Sequence, residues 1–170
     1  MNRLLIGILS VCLAVTIAVP ATAAQFGLGL HYLRTIDEIQ SGPNETFSQN
    51  DFAIFGSLSF PFAIIRVEGD LEWVPDYLGE HLIQPSAYAF LDLGLIYGGL
   101  GIGIGYLTGD NSGWANNPWY GLRAGVQLGL GGLAVDGFLS YRWQSASFSD
   151  AVGNQSLDAF TIAAQIKFGG

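Results

Sequence analysis

RVEGDLEW, residues 66–73, sets Arg66, Glu68, Asp70 and Glu72 against Val67, Gly69, Leu71 and Trp73. A repeat of two is that of an extended strand with one ionic face and one apolar face. The fold turns on which face meets water. In a soluble sheet the ions point out. In the wall of a membrane barrel they point in.

The same alternation returns in runs of about ten residues, and no helical period appears after residue 24. It predicts eight strands near 25–35, 51–61, 64–74, 85–96, 99–108, 119–129, 133–143 and 158–168. One parity is apolar, as in Phe26, Leu28, Leu30 and Tyr32, or Tyr120, Leu122, Ala124, Val126 and Leu128. The other is small or polar, as in Gly121, Arg123, Gly125 and Gln127. Tight connections are expected around Pro61–Ala63, Tyr97–Gly98 and Leu130–Gly132, and long polar ones over 36–50, 75–84, 109–118 and 144–157. An even strand number with alternating short and long loops is the plan of an outer-membrane barrel. Tilted strands of this length span a bilayer.

Three features place the apolar parity outside. The polar parity is rich in Gly, Ser and Ala and nearly lacks lysine, which makes a poor water-facing surface. The large aromatics fall at strand ends: Trp73, Tyr106, Trp119, Tyr120, Tyr141 and Trp143 beside the long loops, and Phe26, Phe60, Phe62, Tyr97 and Phe168 beside the short turns or termini. That predicts two girdles, one at each membrane interface. Finally, the mid-strand apolar parity carries no charge; Arg34 shares it only at the loop end of its strand. The prediction is an all-β, eight-stranded, antiparallel, up-and-down transmembrane barrel over residues 24–170.

Residues 1–23 read as a signal peptide: Arg3, an apolar core from Leu4 to Val19, then Ala21-Thr22-Ala23. Cleavage is expected after Ala23 or Ala24. The core is shorter than the roughly 20 residues a spanning helix needs. Cys12 lies in this segment, so the mature chain has no cysteine, and disulfide, thiol and cysteine–zinc chemistry are excluded.

The lumenal parity carries Arg66, Arg123, Arg142 and Lys167 against Glu68, Asp70, Glu72, Asp92 and Asp136. Near-balanced ions can pair across a bore that eight strands leave only wide enough for side chains. The expected lumen is a polar plug. Gly94, Gly99, Gly101, Gly103, Gly105, Gly121, Gly125 and Gly129 share that face; they either permit bending and close backbone contact or leave a thin cavity. Asp37, Glu38, Glu45, Asp51, Asp76, Glu80, Asp110, Asp150 and Asp158 lie in or beside the long loops. Such an acidic rim is either a solvated surface or a collector of divalent cations and basic partners.

Half the 170 residues are hydrophobic, 12% are charged, 24 are glycine and the formal charge is −8. That balance excludes a disordered chain and a nucleic-acid-binding one. The formal G-x-G-x-x-A at Gly129, Gly131 and Ala134 opens no helix, so it is no dinucleotide site. No cofactor or metal set is expected. His31 is lumenal by parity and reads as a network member. His81, Glu80 and Ser86 are the residue types of a hydrolase in the second long loop, without a signature spacing.

From Gln25 to Phe168 the chain resembles the small eight-stranded outer-membrane barrels of the OmpA/OmpX type. The resemblance lies in the signal segment, the eight amphipathic strands, the four long loops and the aromatic near the end. It implies location in the Gram-negative outer membrane, with membrane lipid and the barrel assembly machinery as partners. Two departures stand out. Gly169 and Gly170 follow Phe168 where such barrels commonly end on Phe, and no peptidoglycan-binding domain is expected beside the barrel. The expected role is non-enzymatic: envelope structure or surface interaction through acidic loops. A narrow channel for small solutes and an outer-leaflet lipid hydrolase are the alternatives.

Overall fold

The computed structural model describes residues 24–35, 39–40, 46–47, 50–77, 80–109, 112–146, 155–156 and 158–169. The signal segment 1–23 lies outside the described residues, as do Asp37, Glu38, Glu45, Asp110, Asp150 and Gly170.

Eight strands form the wall: β1 Gln25–Thr35, β2 Asn50–Phe62, β3 Ile65–Tyr77, β4 Glu80–Asp92, β5 Ile96–Gly103, β6 Trp119–Gly129, β7 Leu133–Trp143 and β8 Ala159–Phe168. Each pairs antiparallel with its chain neighbour, and β1 pairs with β8. The cylinder is therefore closed, and no wall strand is left with an unpaired edge. A short continuation, Tyr106–Thr108, pairs with the loop end of β4 and with Gly113–Trp114.

Two boundaries differ from expectation. The turn joining β4 to β5 is at residues 93–95, not at Tyr97–Gly98. Gly94 takes a left-handed φ of 89°, and the Leu93 amide donates to the Ile96 carbonyl at 2.9 Å. The flanking leucines hide this turn, because turn residues are usually polar. The second outer connection is also shorter than expected. β3 runs on through Pro75 to Tyr77, and β4 starts at Glu80. A bulge between Val74 and Tyr77 absorbs the proline, with Asp76 at φ 58°.

The faces are inverted relative to a soluble barrel. Leu30 is 61% exposed and Leu100 65%, whereas Glu68, Asp136 and Lys167 are 0% exposed. Around the cylinder, Leu28, Phe52, Ile54, Leu71, Ile102, Leu122, Val126, Leu139 and Ile162 form a continuous outward apolar belt.

Candidate functional site

The lumen is built in layers, because inward residues recur every second position on each strand. At the turn end, Arg66 donates to the Gln127 side-chain oxygen at 2.5 Å and lies 3.5 Å from Asp92. Its guanidinium packs 4.3 Å from the Tyr97 ring centre. In the next layer Glu68 accepts from Lys167 at 2.6 Å and from Arg123 at 3.0 Å. Asp136 accepts from the Tyr97 hydroxyl and from the Gln165 amide, both at 2.8 Å. Farther along β7 and β8, Ser140 and Thr161 share a hydrogen bond.

Arg123 bridges this layer to the one above by donating to Asp70 at 2.7 Å. Tyr88 lies 3.7 Å from its guanidinium and Phe138 4.1 Å, so aromatic faces flank the cation. Higher still, Arg142 grips Glu72 through both guanidinium ends, at 3.1 and 2.7 Å, and donates to Gln84 at 2.9 Å. Such a fork fixes geometry as well as charge. His31 places Nε2 3.2 Å from Glu72, and Trp119 lies under Arg142 at 4.6 Å. Above the ions, Ala53, Val74, Tyr77, Leu82, Leu107 and Ala115 form a packed apolar layer at the loop end of the bore.

Gly99, Gly101, Gly103, Gly121 and Gly125 are covered, whereas Gly94, in the turn, and Gly129, at the turn end of β6, meet nothing within 4 Å. A methyl group on Gly99 would run into Phe90, one on Gly101 into Tyr88 and one on Gly103 into Trp119. The rings occupy the space these three glycines leave, so close contact accounts for them and a thin cavity does not. Gly101→Val should therefore lower the unfolding free energy by about 1–3 kcal/mol, the usual range for overpacking a core. Gly98→Val is the matched control, since a methyl there meets nothing nearer than the Arg123 carbonyl at 3.9 Å. Denaturant midpoints of the two variants would check the contrast.

The solved structure of the Neisserial surface protein NspA superposes with a TM-score of 0.64 at 11% identity, covering 87% of this chain and 97% of that one. The fold is that of a small eight-stranded outer-membrane barrel. The Yersinia pestis protein Ail in bilayer nanodiscs aligns with a TM-score of 0.44 at 13% identity, over 85% of this chain and 99% of Ail. No protein-family model and no curated protein matches the chain.

In this outer-membrane-type barrel Arg66, Glu68, Asp70, Glu72, Arg123, Asp136, Arg142 and Lys167 are all buried in the lumen. Asp92 sits at the turn-end mouth with its side chain 30% exposed. Of the girdle residues, Trp73, Tyr120, Trp143 and Phe168 are exposed on the outside, and Phe60 and Tyr141 are partly buried there. Trp119 and Tyr97 are corrections. Both point inward and are buried. Trp119 shares the parity of Gly121 and Arg123, and adjacent Tyr120 already takes the outward place. Tyr97 shares the parity of Gly99 once the turn is placed at 93–95.

The hydrolase trio does not come together. His81 lies in β4, not a loop, on the outward face with its ring 5.8 Å from Trp73. Ser86 is on the opposite, inward parity of the same strand, about 16 Å along it at the usual strand rise. Of the rim acids among the described residues, Asp158 accepts from the Tyr141 hydroxyl at 3.1 Å and from the Gln144 backbone N–H at 2.9 Å. Among the described residues no three His, Cys, Asp or Glu side chains converge as a metal site.

The inward aromatics Phe55, Phe90 and Phe138 were not anticipated as part of the site. Their signal was the phase of the alternation: each falls on the ionic parity, where its bulk looks out of place until the facing glycine is noticed.

Proposed function

We propose that this chain is an integral protein of the Gram-negative outer membrane with a non-enzymatic role, its barrel a sealed frame and its loops the surface that meets other molecules. One observation carries the reading. The bore is filled along its length by paired ions and aromatic rings, then closed at the loop end by the apolar layer around Leu82 and Leu107. A passage for solutes needs continuous space that this packing takes up, and eight strands leave little to spare. The acidic residues beside the outer connections suit divalent cations or basic partners better than anions.

The test is planar-bilayer recording on reconstituted barrel whose folding has been verified by heat-modifiable gel mobility. The expected record is silent, with no conductance step above the bare bilayer. Reproducible steps from the folded form would overturn the sealed-frame reading and favour a narrow channel.

A further inference from the structure

Arg34 stands apart from every other described cation. Arg66, Arg123, Arg142 and Lys167 are buried in the lumen, but Arg34 points outward and is exposed. It ends the outward row Phe26, Leu28, Leu30, Tyr32 on β1, so it emerges where the apolar belt stops. Among the described residues its side chain has no hydrogen bond and no ion pair. The nearby acid Asp158 is already held by Tyr141 and Gln144.

Its neighbours complete a small polar notch. Asn50 on β2 lies directly opposite Arg34, and Phe160 on β8 lies opposite on the other side. The Tyr32 hydroxyl donates to the Asn50 side-chain oxygen at 2.7 Å. That bond orients the amide and leaves its NH₂ group available as a donor beside the guanidinium. Tyr32 is itself braced against Phe52, ring centres 5.3 Å apart. Facing strand partners sit within about 5.5 Å at Cβ, so both donors reach one anion.

We infer that Arg34 and Asn50 hold the headgroup phosphate of an outer-leaflet lipid, with Tyr32 as the positioning residue and Phe160 against the first carbons of its acyl chains. The occupant follows from depth and charge. The row below Arg34 is apolar and needs hydrocarbon; the first anion met beyond hydrocarbon is a headgroup phosphate, and guanidinium binds phosphate through two parallel hydrogen bonds. The inference rests on the membrane reading above, since without a bilayer no headgroup stands at this height.

The barrel would be inserted into phosphatidylcholine nanodiscs doped with lipid A or with phosphatidylglycerol, and co-retained lipid counted by native mass spectrometry. Wild type should retain a phosphate-bearing anionic lipid over phosphatidylcholine. Arg34→Gln should weaken that retention about tenfold, the scale of one charge-assisted contact. Tyr32→Phe should weaken it less, through loss of the Asn50 orientation. Equal retention by Arg34→Gln and wild type would overturn the inference. So would full displacement of the lipid by inorganic phosphate, which would mark a free-anion site. Heat-modifiable mobility of each variant separates the two proposals: failure to enter nanodiscs refutes the membrane reading, whereas entry without lipid retention refutes only this site.

Discussion

Glu68→Gln should destabilise the barrel by about 3–5 kcal/mol, the range for removing one partner of a buried ion pair. Glu68 is fully buried and is the shared acceptor of Lys167 and Arg123, with Arg66 at 3.8 Å. Removing its charge leaves three cations around Asp70 and Asp136, where water cannot compensate. The double variant Glu68→Gln with Lys167→Met should recover part of the loss, because both members of the pair are then neutral. Asp92→Asn, at the mouth with its side chain 30% exposed, should change stability by no more than about 1 kcal/mol. Urea unfolding from lipid vesicles measures all three; a loss below about 1 kcal/mol for Glu68→Gln would show that the network does not carry the interior.

Leu30→Arg should have a comparable effect for the opposite reason. Leu30 is the central outward residue of β1, opposite Ile54 and Ala164. An arginine at the bilayer midplane costs about 2–4 kcal/mol, falling to about 0–1 near the interface. The native Arg34, four residues along the same row, marks the tolerant end of that gradient. Unfolding free energies in vesicles should thus fall for Leu30→Arg and change little for Arg34→Leu. If Leu30→Arg were neutral, or merely improved solubility, the outward belt would be facing water.

The fold was legible because the period of two survives in every strand, and because Arg123, Arg142 and Lys167 all fall on one parity. A misplaced phase would have scattered them. What escaped were features set by neighbours rather than by the strand itself. The turn at Gly94 lies between two leucines, so no polar residue announces it. Trp119 and Tyr97 were drawn to the girdle by their position near strand ends, although parity places them inside. Gly101 reads either as a close backbone contact or as space, because a single strand cannot show that Tyr88, on β4, leans over it. In the lumen the charged residues could be read, but their pairing could not. Glu68 could have faced any of four cations, and only closure of the sheet decides that it meets Lys167 and Arg123. Arg34 was recognised as an exception to the belt, yet the donor beside it, Asn50, lay in what reads as loop.

The ion pairs of the bore join distant parts of the chain. Glu68 and Lys167 are 99 residues apart, and Arg142 and Glu72 are 70. Glu68 and Lys167 also stand on β3 and β8, which are separated in the wall by β2 and β1. Two pairs lie within hairpins, Arg66 with Asp92 and Lys167 with Asp136, but Asp70 and Glu72 meet Arg123 and Arg142 only across the closed bore, so an unfinished sheet presents bare ions on its concave side. Those unmatched carboxylates make a half-built sheet costly to place in hydrocarbon, which favours entry with the last seam closed over a strand-by-strand descent.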